Sequence, residues 1–125
     1  MLLDTCALLW LAHDQSKISD ETLGRIEAAP TLFISAASSF EIALKHRTGK
    51  LHLPIPPQEW ISEIIRHHQI DVIDLDLEIC MKAVDLPPVH KDPCDRFIIS
   101  TALIRNIPVA TADRRFSDYG VEVLS

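Results

Sequence analysis

The sequence predicts an α/β domain in which a mainly parallel central sheet of about five strands is flanked by helices on both faces. Short apolar runs alternate along the chain with longer segments whose apolar residues recur at helical spacing. Acidic residues follow the first and the fourth of these runs, where the strands of a parallel sheet would end. A length of 125 residues, with no repeat and no linker, suits a single domain over 1–125.

The first half of the chain predicts two strands, each followed by helical segments. Ser19 before two acidic residues is typical of a helix N-cap, and Gly49 is typical of a left-handed helix stop. The elements expected here are a strand at 1–3, a helix at 7–11, a helix at 19–29, a strand at 32–34 and a helix at 35–48.

The second half predicts three more strands. A proline-rich connection at 51–57 separates the halves, and Asp92-Pro93 resembles a helix start with Pro in the first turn. The elements expected here are helices at 60–68, 77–84 and 92–105, and strands at 71–75, 108–111 and 121–124.

Composition excludes several classes of protein. The net charge of −6 argues against sequence-independent binding to a nucleic-acid backbone, so any contact with nucleic acid has to be local. Cys6, Cys80 and Cys94 are odd in number and widely spaced, which argues against a disulfide framework or a zinc ribbon and indicates reduced core thiols. No apolar stretch approaches the length of a membrane span. We therefore expect a cytoplasmic protein.

Four acidic residues are candidates for a site at the carboxyl edge of the sheet: Asp4, Glu41, Asp95 and Asp113. Each also has an ordinary structural explanation. Asp4 and Asp95 suit helix starts, Asp113 suits a turn, and Glu41 has Lys45 one helical turn later. Of the four acids, Glu41 most favours a functional role over a structural one, since it lies at the border of the apolar stripe of its helix.

Convergence of these four carboxylates would be unfavourable without a cation. Like charges in close pairs repel by ~4 kcal/mol each at an effective dielectric near 20. Oxygen ligands are those that Mg²⁺ or Mn²⁺ prefers, and such an ion can activate water for attack on phosphorus. By the same reasoning, Asp113→Asn is expected to raise the melting temperature in metal-free buffer.

Four motifs, in this order, resemble those of PIN-domain ribonucleases, the toxins of bacterial VapBC-type toxin–antitoxin pairs. They are Leu2-Leu3-Asp4-Thr5, Ser38-Ser39-Phe40-Glu41-Ile42, Asp92-Pro93-Cys94-Asp95-Arg96 and Thr111-Ala112-Asp113. The resemblance spans nearly the whole chain. It departs at Arg115, where some members place a further acid, so that four acids rather than five remain.

The resemblance implies a PIN-like fold and endonucleolytic cleavage of RNA with Mg²⁺ or Mn²⁺ held by the four acids. It implies that Thr5, Ser38 and Thr111 orient acids or waters. Lys45, Arg96 and Arg115 would contact RNA or an antitoxin. The partners it implies are a second copy of the chain, in a homodimer, and an antitoxin protein with a basic tail.

Two other functions stay open on the sequence. The first is an inactive PIN-like binding module. The second is a receiver-like Mg²⁺-binding phosphoacceptor, which would need adjacent acids after the first strand, whereas Thr5 follows Asp4.

Overall fold

The computed structural model describes residues 1–125 and is built on one five-stranded sheet. The strands are β1 (Leu2–Leu3), β2 (Leu32–Ser35), β3 (Ile70–Ile73), β4 (Val109–Ala110) and β5 (Val123–Leu124). Their order is β3-β2-β1-β4-β5, and all four pairings are parallel. The predicted α/β class is confirmed, with a sheet that is wholly rather than mainly parallel.

Six α-helices connect the strands. They are α1 (Thr5–His13), α2 (Asp20–Ala28), α3 (Ala36–Arg47), α4 (Pro57–His68), α5 (Leu77–Asp85) and α6 (Pro93–Arg105), and short 3₁₀ turns lie at Gln15–Lys17 and Arg114–Tyr119. Ser19 caps α2 as predicted, by accepting a hydrogen bond from the Thr22 N–H. Gly49 takes a φ of 77° just after α3, as expected of a left-handed stop.

Helix and strand starts differ from the prediction by a few residues, for local reasons. Helix α1 begins at Thr5 rather than Ala7, because Asp4 caps it and Oδ1 accepts the Ala7 N–H at 2.8 Å. Strand β3 begins at Ile70 rather than Asp71, because the left-handed Gln69 ends α4 and turns the chain directly into the sheet.

Apolar side chains cover both faces of the sheet. Leu3, on one face, belongs to a buried cluster with residues of α1 to α4, among them Leu8 and Ile42. Leu2, on the other face, belongs to a second cluster that includes Ile98 of α6. This alternation is the period of two that a strand imposes, and it places the helices on both faces as predicted.

The strand order positions a crevice beside β1. From β1 the chain continues to β2 and β3 on one side, whereas β4 and β5 lie on the other side. In parallel α/β sheets, ligands bind beyond the carboxyl ends of the strands at such a switch point. Asp4 and Thr111 follow β1 and β4 at this place.

No helix combines the length and the apolar character that crossing a membrane requires.

Candidate active site

A cleft of about 360 Å³ opens at this switch point and contains all four predicted acids. Parallel pairing of Leu3 with Ala110 brings Asp4 beside the start of the segment that carries Asp113. Helices α3 and α6 supply the other two acids. The cleft is lined by Asp4, Thr5, Cys6, Trp10, Glu41, Lys45, Asp92, Asp95, Ala112 and Asp113.

Asp4 lies at the floor of the cleft and is 5% exposed. Its Oδ1 caps α1, and its Oδ2 accepts a hydrogen bond from the Thr111 hydroxyl at 2.5 Å. Burial raises the pKa of Asp4, although these two hydrogen bonds oppose the rise. Asp4 is therefore both a helix cap and a member of the acidic cluster, so the two explanations of this residue are compatible.

Glu41 projects from α3 with its two oxygens in different environments. Oε2 forms an ion pair with Lys45 Nζ at 2.8 Å, the pair expected one turn apart. Oε1 is buried and has no hydrogen-bond partner. A buried carboxylate oxygen without a donor is costly. This oxygen therefore lacks the compensation that a hydrogen-bond donor or a cation would give it.

Asp92 and Asp95 lie together at the start of α6. Asp92 is the N-cap, and its Oδ1 accepts the Cys94 N–H at 2.9 Å. Asp95, in the first turn, has a pKa raised to about 7, first by burial and then by the nearby charge of Asp92. Asp95 is thus the acid whose negative charge is least well compensated by the protein.

Asp113 differs from the other acids because it is surrounded by donors. The Arg115 guanidinium binds both of its oxygens, and the Arg115 N–H adds a third hydrogen bond. These contacts hold the pKa of Asp113 well below its usual range. Arg115, expected to contact RNA or an antitoxin, thus binds an acid of its own chain here.

His90 contacts two of the acids and was missed by the sequence reasoning. It is 3% exposed, and its Nε2 lies 2.9 Å from Asp113 Oδ2 and 3.1 Å from Asp95 Oδ2. It lies in a proline-containing segment between α5 and α6 with no periodic pattern. Spacing alone therefore gave no signal that this His is buried among the acids.

The predicted supporting residues divide into two groups. Thr111 donates its hydroxyl hydrogen to Asp4, and the same hydroxyl accepts the Asp113 N–H at 3.0 Å, so it links two acids. Thr5 and Ser38 instead bind each other at 3.0 Å, which ties α1 to α3 at the cleft.

Arg96 occupies a position that differs from the expected contact with RNA or an antitoxin. All five of its N–H donors bind backbone carbonyls of the segment before α6. The acceptors are those of Ala83, Val84, Leu86, Pro87 and His90. With its donors used in this way, Arg96 shapes the loop and has none left for a ligand.

The three cysteines are free, as expected, but none of them is a core residue, which differs from the prediction. Cys6 is exposed in the first turn of α1, at the cleft, and Cys80 and Cys94 are half-buried. Burial raises the pKa of Cys94 to about 11, so this thiol stays protonated at neutral pH.

The donor set of the cleft fits a hard divalent cation. Every acid contributes oxygen, and the buried Glu41 Oε1 has no donor from the protein. Asp4, Glu41, Asp95 and Asp113 are the residues that could hold Mg²⁺ or Mn²⁺. The thiols near the cleft do not form a site for a softer metal. The pKa values of Cys6 and Cys94 are both raised, so neither is a thiolate at neutral pH.

A family profile of the PIN domain matches residues 1–122, and the chain belongs to the PIN-domain family. This membership removes the receiver-like alternative. Among characterised proteins, the chain is similar to Ribonuclease VapC22 of Mycobacterium tuberculosis, with 28% identity over 120 residues that cover 95% of this chain and 91% of the relative.

Solved structures show the same fold at lower identity. VapBC2 from Rickettsia felis, bound to a DNA fragment from its promoter, superposes with a TM-score of 0.72 at 15% identity, over 98% of this chain and 95% of the other. DNA-bound VapBC from Salmonella typhimurium gives a TM-score of 0.71 at 16% identity, over 98% and 94%. These similarities confirm the predicted PIN-like fold.

Proposed function

We propose that this protein is the endoribonuclease toxin of a toxin–antitoxin pair and hydrolyses RNA phosphodiester bonds with Mg²⁺ or Mn²⁺ held by Asp4, Glu41, Asp95 and Asp113. The observation that carries the proposal is the convergence of these acids in one cleft, where a buried oxygen of Glu41 has no donor. Membership of the PIN-domain family and the similarity to Ribonuclease VapC22 support it.

In this proposal, some residues of the chain hold the metal ligands in one orientation, and the metal balances the charge of others. Thr111 and the start of α1 hold both oxygens of Asp4, so this carboxylate has one orientation. Asp95, with its raised pKa, is the acid that gains most from a cation. When bound, Mg²⁺ or Mn²⁺ supplies the positive charge that makes a nearby water more acidic and offsets the negative charge of the phosphate oxygens.

In this proposal, Lys45 and Arg115 are the cations that meet an RNA phosphate. Each is paired with an acid, Lys45 with Glu41 and Arg115 with Asp113, and each remains partly exposed to solvent. A cation that takes over the charge of these acids would free the two side chains for phosphate oxygens. This local pair of cations fits a chain of net charge −6.

The partners belong to the same proposal. The structural neighbours from Rickettsia felis and Salmonella typhimurium are VapBC complexes, which supports an antitoxin for this chain. An acidic cleft suits an antitoxin with a basic tail. Exposed apolar side chains on α5, namely Leu77, Met81 and Val84, support association into a homodimer. Three free cysteines agree with a cytoplasmic location.

The test is RNA cleavage by the purified protein free of any antitoxin. We expect cleavage of a structured RNA with Mg²⁺ or Mn²⁺, loss of cleavage in EDTA, and loss in Asp4→Asn. The matched control is Asp71→Asn, an exposed Asp on β3 away from the cleft, which should cleave like the wild type. Cleavage that survives EDTA and Asp4→Asn contradicts the metal mechanism. A folded protein that binds RNA without cleaving it supports the inactive binding module instead.

A further inference from the structure

His90 bridges two acids of the cleft through a single nitrogen. Its Nε2 contacts Oδ2 of Asp113 at 2.9 Å and Oδ2 of Asp95 at 3.1 Å. One ligand atom from each of these three residues lies within 4.8 Å of the others. The bridge joins α6 to the turn after β4, two parts of the chain that no strand pairing connects.

The hydrogen bonds of the ring fix its role as a donor. The Asp92 N–H lies 3.3 Å from Nδ1, which therefore acts as the acceptor. A neutral ring with an acceptor at Nδ1 carries its hydrogen on Nε2, the atom that faces the two carboxylates. Nε2 therefore donates a hydrogen bond to Asp113 and lies in polar contact with Asp95, and it has no lone pair to offer a metal in this state.

The backbone N–H and the backbone carbonyl of His90 are both bound by side chains from outside its loop. The Tyr119 hydroxyl accepts the His90 N–H at 2.7 Å and donates to the Pro87 carbonyl at 2.7 Å. Arg96 donates to the His90 carbonyl at 2.8 Å. The edge of the ring also meets Phe116, with centroids 5.8 Å apart. Side chains from two separate elements therefore keep this ring in place.

The bridge leaves one oxygen of Asp95 for a ligand. His90 Nε2 lies against Oδ2 of Asp95, whereas Oδ1 has no contact with a donor of the protein. Without the bridge, two like charges would favour separation, and Asp95 could rotate away from the cleft. In metal sites, hydrogen bonds of this kind orient the ligands, and their loss weakens the binding of the metal.

We propose that His90 is a positioning residue of this site, which holds Asp95 and Asp113 together so that they bind a divalent cation as one unit. This inference rests on the proposed function, because it assigns the two acids to a metal. It predicts an effect on metal affinity rather than on the chemical step.

The experiment measures Mn²⁺ binding to the full chain by titration calorimetry, without RNA. We expect His90→Leu to weaken binding by roughly tenfold or more. His90→Gln can place an amide N–H near Nε2 and should recover affinity to within about threefold of the wild type. His52→Leu, at an exposed His outside the cleft, is the control and should bind like the wild type.

A second readout is the Mn²⁺ dependence of RNA cleavage. His90→Leu should need a higher Mn²⁺ concentration for half-maximal rate, with the rate at saturating Mn²⁺ largely retained. If His90→Leu does not fold, Tyr119→Phe, which removes the contact to the loop backbone, should show a smaller shift in the same direction.

The outcomes separate the two proposals. Unchanged or tighter Mn²⁺ binding in a folded His90→Leu, or equal loss in His90→Gln, overturns the positioning role. A wild-type protein that binds Mn²⁺ but does not cleave RNA contradicts the proposed function alone. A wild-type protein that binds no Mn²⁺ contradicts both.

Discussion

Arg115 binds Asp113 through both carboxylate oxygens, with Nε 3.0 Å from Oδ1 and Nη2 2.8 Å from Oδ2. Paired planar groups of this kind form the strongest class of charged hydrogen bonds. Arg115 compensates the charge that Asp113 adds to the cleft, and the neutral His90 adds a hydrogen bond to the same carboxylate. The four acids are therefore not equivalent, and their substitution has effects of different sign.

Asp113→Asn is expected to lower the melting temperature in metal-free buffer. The charge-only reasoning from the sequence predicted a rise, but the ion pair with Arg115 reverses the sign. The loss should be about 1 kcal/mol, because the pair is partly exposed to solvent. Thermal unfolding followed by circular dichroism measures it, with Asp118→Asn, an exposed Asp in the same 3₁₀ turn, as the control. A higher melting temperature would restore the repulsion argument.

Asp95 should make the metal-free protein less stable as the pH rises. Its pKa is about 7 in the folded protein and near the ordinary 3.8 when unfolded, so the folded state binds more protons between these values. Stability therefore falls as the pH rises from about 4 to about 7, by roughly 2 kcal/mol after screening by solvent. Urea unfolding at several pH values measures this slope.

Asp95→Asn provides the comparison for this pH effect. The amide has no charge to bury, so the variant should lack that part of the slope and be more stable than the wild type at pH 8 without metal. Added Mn²⁺ should narrow the difference by stabilising the wild type. The same pH slope in both proteins would show that Asp95 is not the group responsible.

Arg96→Lys should destabilise the protein by about 2 kcal/mol, although the charge is kept. Lys offers three donors without the planar fork, so several of the five carbonyls bound by Arg96 lose their partner. Urea unfolding measures the loss, and Arg105→Lys, at an exposed position on the same helix, is the control. Hydrogen exchange should also increase in the segment before α6. Equal stability of the two variants would contradict the structural role of Arg96.

Much of the fold could be predicted from the sequence because it depends on local patterns. The five strands are apolar runs, and the helices carry apolar residues at helical spacing between recognisable caps such as Ser19 and Asp92. The meeting of Asp4 and Asp113 follows from the general rule that parallel strands end at the same edge. The role of the four acids as metal ligands stays a prediction.

The sequence by itself determined the fold class and the placement of Asp4 and Asp113 at one edge of the sheet, since strand period and helix caps are set by residues close in the chain and parallel strands end at the same edge. The approach of Glu41 and Asp95 to that edge depends on how α3 and α6 pack in the fold. Only the tertiary structure decided which charges are compensated. Contacts between His90 and Asp113, 23 residues apart, and between Arg96 and the carbonyls of an irregular loop depend on side-chain rotamers and loop path. Neither leaves a periodic trace in the sequence, because each is fixed by packing in three dimensions.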